Sequence, residues 1–347
     1  MRYKVYFIGP SLNTQGGISS VLKLYNENLK GLDMSFLSSY SGKNRLKDLC
    51  CFIYTLIMTF FICMTDKKAI FHINTASRGS YLRKSIIARL CLLFGRKVIM
   101  HIHGGGFIDF IENSCPEKKK AIISLLGRVH HIIVLSDFWL ESFKKYADAD
   151  KISVLYNPCG IIDKTYKPRS NTKTRIIFVG TLCRDKGVYD LIQSVRSLDK
   201  NSYVLEFYGN GEVEQVRSLI NDYALTDNIH VYNWISRSEL DKVYERSDIL
   251  ILPSYAEGMP MVILEAMGKG LPVIATNVGG IPDTIVDGYN GYIVSPGDKN
   301  ALRDKISLLI NDRHLREHMG RAGLELAKER YSMDKIATNL KNIYNSL

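Results

Sequence analysis

Short apolar runs rich in β-branched residues alternate along the chain with stretches whose apolar residues recur every three or four positions. The runs predict strands and the stretches predict helices, an alternation typical of parallel sheets covered by helices. The predicted strands are residues 3–8, 34–38, 69–74, 98–103, 131–135, 152–156, 175–179, 203–208, 229–232, 248–252, 272–275 and 292–294. Helical periodicity is clearest at 17–30, 80–94, 137–146, 299–311, 314–330 and from 332 onward.

This alternation is interrupted at a polar stretch, residues 164–174, and begins afresh after it. A chain of 347 residues is longer than one hydrophobic core usually supports, so the restart marks a second domain. We predict an α/β fold with two Rossmann-like domains, residues 1–165 and 166–331, and a helix at 332–347 that packs back on the first. Two such open sheets would face each other across a cleft and bind ligands beyond the carboxyl ends of their strands.

Residues 49–64 form an apolar run that approaches the length of a membrane span. Sixteen helical residues extend about 24 Å, which is less than the roughly 30 Å of a hydrocarbon core. Two interpretations stay open: a helix buried in the first domain, or a helix that faces a membrane with its basic flanks at headgroup level. The basic flanking residues are Lys43, Arg45, Lys47, Lys67 and Lys68.

The net charge of +11 lies entirely in the first half of the chain. Residues 1–165 contain 23 basic and 12 acidic side chains, whereas residues 166–347 contain 23 of each. This asymmetry favours an anionic partner for the first half, such as nucleic acid, an acidic membrane surface or a phosphorylated acceptor; a solvated basic surface is the alternative. The seven scattered cysteines form no C-x-x-C pair and follow no secretory leader, which indicates reduced thiols in a cytosol.

Two glutamates follow the predicted strand at residues 248–252. The segment PSYAEGMPMVILE places Glu257 and Glu265 eight positions apart. A helix beginning near Gly258 or Met259 would put Glu257 at its mouth and Glu265 about two turns along, with both carboxylates facing one ligand. Its first N–H groups would offer an anion site, although glutamate is also common at helix starts for electrostatic reasons alone.

Two glycine-containing loops in the same half suit a diphosphate. In GTLCRDKG, residues 180–187, Arg184 and Lys186 stand beside the N–H groups of a predicted helix start. In GNG, Gly209 and Gly211 allow close approach of a ligand to the backbone. Either loop alone is also typical of a plain strand-to-helix turn. Together with the two glutamates they predict a nucleotide-binding site.

Four segments of the second half resemble the donor-binding domain of family 4 retaining glycosyltransferases: FVGTLCRDKG, YGNGE, SDILILPSYAEGMPMVILEAMGKGLPVIATNVGGIPDTI and DGYNGYIV. The resemblance covers residues 153–295, and the Glu-x7-Glu block is its most specific part. In the first half, QGGIS at 15–19 and HIHGGGF at 101–107 are similar in outline. The resemblance implies the GT-B architecture, retention of anomeric configuration, and neither a prosthetic group nor a catalytic metal.

The resemblance also implies roles for residues of the second half. Glu257 would bind hydroxyls of the donor sugar, Glu265 would bind the donor ribose, and Lys186 would neutralise the departing diphosphate. The family commonly has an arginine where this chain has Thr181, and Arg184 is the candidate replacement. The backbone of three further residues would contact the sugar or phosphate: Gly258, Met259 and Met261.

In the first half, the resemblance implies that Gly16 and Gly17 bring backbone N–H groups to the phosphate and that His103 lies beside the reacting sugar. The glycines at 104–106 indicate backbone approach to a ligand, or simply a turn. His101 and His103 alternate on a strand like a metal-binding pair. No acidic or thiol ligand stands at a metal-site spacing nearby, so no metal is expected.

The sequence therefore predicts a cytoplasmic hexosyltransferase, peripheral at the inner face of the membrane, that uses a nucleotide sugar, with a UDP-sugar as the default. The acceptor would be a saccharide or lipid-linked saccharide in bacterial surface polysaccharide assembly, such as capsule or lipopolysaccharide. Cations and helix N-termini aimed at the departing diphosphate would lower the barrier. In the front-face mechanism proposed for such enzymes, that phosphate accepts the acceptor's proton.

Three other functions share single features with this sequence. A nucleotide-sugar epimerase can share the two-sheet architecture but needs an acid and a base over the sugar, for which His103 is the one candidate. A Rossmann dehydrogenase needs G-x-G-x-x-G after the first strand, and this fingerprint is absent. A nucleic-acid binder lacks support because basic and aromatic residues are not interleaved on a strand.

Overall fold

The computed structural model describes residues 3–347. The strands are β1 (Val5–Gly9), β2 (Met34–Ser38), β3 (Ile70–Thr75), β4 (Lys97–Ile102), β5 (His131–Val134), β6 (Ile152–Val154), β7 (Thr174–Val179), β8 (Tyr203–Tyr208), β9 (Ile229–Tyr232), β10 (Ile249–Leu252), β11 (Val273–Thr276) and β12 (Gly291–Val294). The helices are α1 (Gly17–Asn28), α2 (Arg45–Thr65), α3 (Gly79–Leu93), α4 (Phe107–Glu112), α5 (Pro116–Arg128), α6 (Asp137–Phe143), α7 (Val188–Val195), α8 (Val213–Asp222), α9 (Arg237–Arg246), α10 (Met261–Gly268), α11 (Lys299–Asn311), α12 (Arg313–Arg330) and α13 (Met333–Ser346). Two 3₁₀ turns cover Ala149–Lys151 and Arg184–Lys186.

The chain divides into two compact units. The first runs to Pro158 and also includes Met333–Leu347, and the second is Cys159–Ser332. The predicted boundary after residue 165 is therefore too late. Cys159 N donates to Tyr331 O at 2.7 Å and Asp163 N donates to Gly268 O at 2.8 Å. These hydrogen bonds tie the start of the polar stretch to the second unit.

Each unit contains one sheet of six parallel strands. The order is β2-β1-β3-β4-β5-β6 in the first unit and β12-β11-β10-β7-β8-β9 in the second. The order of connection reverses between β1 and β3 in the first sheet, and between β7 and β10 in the second. In open α/β sheets, ligands bind beyond the carboxyl ends of the strands at such a reversal.

Burial on both faces explains why the strands appear in the sequence as continuous apolar runs. All six residues of β3 and all four residues of β10 are buried. The twelve predicted strands are present, with ends displaced by at most two residues. One displacement matters for function: β4 ends at Ile102, which places His103 in the following loop.

The apolar segment predicted at 49–64 lies within α2. The helix begins where Asn44 Oδ1 accepts the N–H of Lys47 at 2.9 Å. The inner face of the helix is buried at Thr55, Thr59 and Cys63. Thr55 Oγ1 donates to Ser38 O of β2 at 2.5 Å. The opposite face carries large apolar side chains that are 42–71% exposed: Leu46, Leu49, Ile53, Tyr54, Ile57, Phe60, Phe61 and Met64.

Among residues 3–347, α2 is the one helix with the length and composition of a membrane span, and 22% of its apolar window is buried. It connects β2 to β3, which lie on either side of β1 in one parallel sheet. Both helix ends are therefore fixed to the same sheet, and α2 lies along it. Burial inside the domain, one of the two interpretations left open by the sequence, is excluded by the exposed apolar face.

Candidate active site

The loops that follow β7 and β10 carry most of the predicted donor residues. These strands flank the reversal in the order of the second sheet. Tyr255 N donates to Asp185 O at 2.8 Å, which joins the two loops directly. The structure thus assembles this part of the predicted site where an open α/β sheet binds its ligand.

Lys186 and Glu257 are in direct contact, with Nζ 2.6 Å from Oε1. Gly187, next to Lys186, has a φ of +68°, and a Cβ there would lie 2.0 Å from Pro253 O. Glycine is required because the two loops touch at this point. The Lys186 and Glu257 side chains remain 28% and 10% exposed, so the ion pair is accessible from solvent.

Two residues that the sequence interpretation missed hold Glu257 in place. Ser254 is fully buried, and its Oγ donates to Glu257 Oε1 at 2.8 Å. Gly279 has a φ of +55°, and a Cβ there would lie 1.9 Å from Glu257 O. The available signals were a hydroxyl three positions before the glutamate and a glycine pair after the next strand.

The turn containing Gly258, Met259 and Met261 is fixed by the same glycine pair. Gly280 N donates to Gly258 O at 2.8 Å. The side chains of Met259 and Met261 are 4% and 7% exposed. A ligand at this turn would therefore meet backbone rather than methionine side chains, in keeping with the predicted role.

Glu265 lies one turn into its helix rather than two, because α10 begins at Met261 with Pro260 as its N-cap. Its carboxylate is buried and accepts hydrogen bonds from the Arg237 guanidinium and from the Tyr244 hydroxyl, the latter at 2.9 Å. Glu257 and Glu265 thus have separate partners, although both belong to the segment that follows β10.

Arg237 and Tyr244 of α9 are further residues that the sequence interpretation missed. Burial and the nearby Glu265 carboxylate raise the pKa of Tyr244 well above its usual range, so its hydroxyl stays protonated and donates. Burial alone would lower the pKa of Arg237, but Glu265 and Asp241 outweigh it and the net shift is upward. The charge of Glu265 is therefore compensated within the second unit. No spacing in the sequence connects α9 to α10.

Gly209 and Gly211 are required by the packing of two loops. A Cβ at Gly209 would lie 1.8 Å from Gly180 O, and a Cβ at Gly211 would lie 2.5 Å from Leu182 O. Leu182 N also donates to Asn210 O at 2.7 Å. The glycines therefore allow the loops after β7 and β8 to pack together, and a ligand contact at these positions remains a prediction.

Arg184 lies beside an aromatic ring of the following helix. Its guanidinium carbon lies 5.7 Å from the centroid of the Tyr189 ring. It lines a cavity together with Tyr189, Gln193 and Gln215, and neither Lys186 nor Glu257 is among the lining residues. This geometry does not support Arg184 as the replacement for the arginine expected at Thr181.

In the first unit, Gly16 and Gly17 stand at the N-terminus of α1, the helix that follows β1. Gly16 is the N-cap with a φ of +132°, and a Cβ at either glycine would have open space around it. The N–H groups at this helix start remain the predicted phosphate contact.

His103 follows β4, where Asn74 of β3 fixes its tautomer. Asn74 Nδ2 donates to the carbonyls of Ile8 and His72, so Asn74 Oδ1 faces His103 Nε2 at 2.8 Å. Nε2 therefore carries the hydrogen and Nδ1 is left as an acceptor. Burial and the charge of Lys84 lower the pKa of His103 to about 3, so the ring is neutral near pH 7.

The other histidines of this region form a buried chain of contacts. His72 Nδ1 lies 2.7 Å from the Tyr344 hydroxyl of α13, and His72 Nε2 lies 3.0 Å from His101 Nδ1. The rings of His101 and His103 are 4.0 Å apart. Within residues 3–347, no group of three or more His, Cys, Asp or Glu side chains could hold a metal ion.

Residues 163–326 match the family model described as "Glycosyl transferases group 1". The capsular polysaccharide biosynthesis glycosyltransferase CapM of Staphylococcus aureus is 32% identical over 243 residues, which cover 69% of this chain and 61% of CapM. The chain thus spans less than two thirds of CapM. An uncharacterized 41.2 kDa protein in the cps region of Klebsiella pneumoniae is 26% identical over 326 residues, 89% of this chain and 87% of that protein.

The fold is shared with Anabaena Alr3699/HepE in complex with UDP-glucose. The TM-score is 0.77 at 17% identity, over 99% of this chain and 100% of HepE. At this identity the likeness concerns the fold alone, and it confirms the predicted α/β class with two parallel sheets of GT-B type. Residues 163–326 are thus similar to the group 1 glycosyl transferases, and the chain has the GT-B fold.

Proposed function

We propose that this chain is a retaining hexosyltransferase of family 4 that transfers a sugar from a UDP-sugar to a lipid-linked saccharide in bacterial surface polysaccharide synthesis. The observation that carries the proposal is the Lys186–Glu257 contact at the reversal between β7 and β10. A lysine and a carboxylate joined at 2.6 Å match the two halves of a nucleotide sugar: the diphosphate needs a cation, and the sugar hydroxyls need an acceptor.

In the proposed reaction the bond from the sugar anomeric carbon to the donor phosphate breaks, and a bond to the acceptor oxygen forms on the same face. The acceptor's proton passes to the departing phosphate. Lys186 stabilises the charge on the diphosphate, Glu257 binds sugar hydroxyls and Glu265 binds the ribose. Gly16, Gly17, Gly209, Gly211, Gly258, Met259 and Met261 are the proposed backbone contacts of the donor.

His103 fits a binding role beside the reacting sugar. Its free Nδ1 can accept a hydrogen bond from a sugar hydroxyl. Because its pKa is lowered to about 3, it is not an acid at neutral pH. An epimerase would need an acid as well as a base over the sugar, so this alternative is disfavoured.

The acceptor and membrane assignments rest on the first unit and on the relatives. CapM acts in capsular polysaccharide biosynthesis and the Klebsiella relative comes from a cps region. The exposed apolar face of α2 and its basic flanks fit a peripheral position at the anionic inner face of the cell membrane. The HepE complex with UDP-glucose supports a UDP-sugar as donor.

A thermal-shift screen of nucleotide sugars tests the donor, because a ligand of the native state raises the melting temperature. We expect UDP-sugars to stabilise the protein more than the corresponding GDP-sugars. With an α-linked UDP-sugar and a lipid-linked saccharide, NMR of the product should show an α-linkage. A β-linked product would refute retention, and epimerised donor without acceptor would identify the epimerase.

A further inference from the structure

Helix α9 begins at the carboxyl edge of the second sheet. It follows β9, the strand beside β8, and Gly209 N of the loop after β8 donates to Tyr232 O at the end of β9 at 3.2 Å. A capping box fixes the start of the helix: Ser236 Oγ accepts from Glu239 N, and Ser236 N donates to Glu239 Oε2 at 2.8 Å. The first turn of α9 is therefore held at the edge where open α/β sheets bind ligands.

Arg237, the first residue of α9, contacts two carboxylates with two of its three guanidinium nitrogens. Nη1 donates to Glu265 Oε1, and Nε lies 3.3 Å from Asp241 Oδ1. The third nitrogen, Nη2, donates no hydrogen bond to any of residues 3–347 and keeps contact with solvent. An arginine has five N–H donors, so the two on Nη2 are left for a ligand.

Glu265 is covered by side chains of α9. Arg237 and Tyr244 are seven positions apart, about two turns, and therefore share one face of the helix. Arg237 donates to Glu265 Oε1 and the Tyr244 hydroxyl donates to Oε2, so each carboxylate oxygen already has a partner. The Glu265 side chain is 5% exposed, whereas that of Arg237 is 34% exposed. A ligand that approaches Glu265 from solvent therefore meets the Arg237 guanidinium as well.

The charge of Arg237 also favours a nucleotide at this position. Glu265 and Asp241 carry the same sign of charge as the diphosphate of a nucleotide and repel it. Arg237 contacts both carboxylates and offsets part of this repulsion. Arginine stays protonated at every accessible pH, and its planar fork can hold two carboxylates and still face a ligand, which the single ammonium of a lysine does less well.

A guanidinium beside Glu265 suits the two neighbouring hydroxyls of a ribose. Glu265 is the residue proposed for the donor ribose, and Arg237 Nη1 is hydrogen-bonded to it. The two terminal nitrogens of one guanidinium and the two hydroxyl oxygens of one ribose have similar separations. Because a hydroxyl both donates and accepts, one hydroxyl can donate to the carboxylate while its neighbour accepts from Nη2.

We propose that Arg237 binds the ribose of the donor nucleotide together with Glu265: the carboxylate accepts from one of the 2′- and 3′-hydroxyls, and Nη2 donates to the other. Arg237 is thus a specificity-determining residue that favours ribonucleotides over their deoxy counterparts. This inference rests on the proposed function for the presence of a nucleotide sugar. It is independent of the base, because every ribonucleotide carries the same two hydroxyls.

The test measures binding to the full-length protein by calorimetry, with UDP, 2′-deoxy-UDP and 3′-deoxy-UDP as the probes. We expect the native chain to bind UDP about tenfold more tightly than either deoxy compound, because loss of a hydroxyl leaves a charged group without its partner. A native chain that binds all three compounds equally would overturn the proposal.

Arg237→Lys is the main variant, because lysine keeps a positive charge beside Glu265 but has no second terminal nitrogen. It should weaken UDP binding about tenfold and change binding of inorganic diphosphate, which has no ribose, less than about threefold. For one deoxy compound, the one that lacks the hydroxyl bound by Nη2, the preference for UDP should fall below about threefold. The preference over the other deoxy compound should stay at its native value.

Arg246→Lys is the matched control at the other end of α9. Arg246 also pairs with a buried carboxylate, since its Nη2 lies 3.1 Å from Glu206 Oε2. This control should keep the native preference for UDP over both deoxy compounds. If Arg237→Lys weakens UDP and both deoxy compounds by the same factor, Arg237 has a structural role alone and the proposal is overturned.

A second variant covers the case in which Arg237→Lys does not fold. Arg237→Met combined with Glu265→Met replaces the whole ion pair and leaves no buried charge unpaired, a change that proteins often tolerate. In this double variant the preference for UDP over both deoxy compounds should fall below about threefold. A native preference that survives the loss of both side chains would refute ribose binding by the pair.

The same measurement with ADP, GDP and their 2′- and 3′-deoxy forms separates this inference from the proposed function. If UDP does not bind but ADP or GDP binds with a hydroxyl preference that depends on Arg237, the UDP-sugar assignment fails and the role of Arg237 stands. If UDP binds and Arg237→Lys keeps both native preferences, the Arg237 proposal alone fails. If none of the three nucleotides binds, both fail.

Discussion

Lys186 Nζ lies 2.6 Å from Glu257 Oε1, and Ser254 Oγ donates to the same carboxylate oxygen at 2.8 Å. The cation proposed for the diphosphate and the carboxylate proposed for the sugar therefore form one unit before any donor binds. Because each fixes the position of the other, a change at either residue acts on both. This coupling sets the expected behaviour of their variants.

Glu257→Gln should lower the turnover number at least about a hundredfold, the usual cost of removing a group that acts in the transition state. Binding of UDP should change less than threefold, because UDP lacks the sugar and Lys186 is freed to meet the diphosphate. Steady-state kinetics and calorimetry with UDP measure the two effects. Glu325→Gln, at an exposed carboxylate that also pairs with a lysine, is the control. Unaltered turnover would remove Glu257 from the site.

Arg237→Met should strongly lower the free energy of unfolding, because it leaves the buried Glu265 with the Tyr244 hydroxyl alone. Breaking a buried ion pair from one side costs about 3–5 kcal/mol. Arg217→Met breaks an exposed pair with Glu214 and should cost no more than about 1 kcal/mol. Denaturant unfolding of the two variants gives the comparison. Equal losses would show that the Arg237–Glu265 pair is screened by solvent.

Glu265→Gln keeps the hydrogen-bond capacity of the side chain and removes its charge. If Glu265 binds the donor ribose, affinity for UDP should fall about tenfold while affinity for inorganic diphosphate stays the same. Calorimetry with the two ligands measures this difference. Equal losses for both ligands would indicate a general disturbance of the second unit rather than a ribose contact.

Replacing Arg45, Lys47, Lys67 and Lys68 by glutamine should reduce binding to anionic vesicles at least tenfold, since each basic residue near such a surface contributes about 1 kcal/mol. All four side chains are exposed and flank or begin α2. The control replaces four other exposed basic residues of the first unit: Lys23, Lys30, Arg128 and Lys145. Vesicle flotation at two salt concentrations measures the effect. Flotation unchanged by the first set, or equally reduced by the control set, would discard α2 as the membrane contact.

Lys84→Met should stabilise the protein, and the gain should be largest below about pH 7. The Lys84 side chain is 1% exposed, and its Nζ has Ser80 Oγ at 3.4 Å as its hydrogen-bond partner. Burial and the charge of Arg83 lower the pKa of Lys84 from 10.5 to about 7. The unfolded chain therefore binds more protons than the native chain between about pH 7 and 10.5, and native stability rises with pH across this window.

Thermal unfolding of the native chain and Lys84→Met at several pH values measures this linkage. The difference between them should be nearly constant below pH 7 and shrink as the pH rises toward 10.5. Lys145→Met, at an exposed lysine, should show no such dependence. A gain independent of pH would mean that Lys84 has the same pKa in the native and unfolded chains and that the effect comes from packing alone.

The order of strands and helices, the α/β class and the candidate donor residues were predictable from the sequence because they depend on local patterns. A parallel strand that is buried on both faces appears in the sequence as a continuous apolar run. A ligand-binding loop at its carboxyl end appears as glycines and charged residues directly after that run. Glu257, Glu265 and Lys186 could be named for this reason. The exchange of the family arginine for Thr181 was visible in the same way.

Tertiary structure alone decided which side chains meet. Arg237 reaches Glu265 from a different helix, Asn74 orients His103 from the adjacent strand, and Arg184 lies against Tyr189. Tertiary structure also decided which face of α2 is exposed, because the exposed face is more apolar than the buried face. The sequence determines how apolar a helix is. Which of its faces is buried depends on the elements that pack against it in the fold, and the linear pattern does not show those elements.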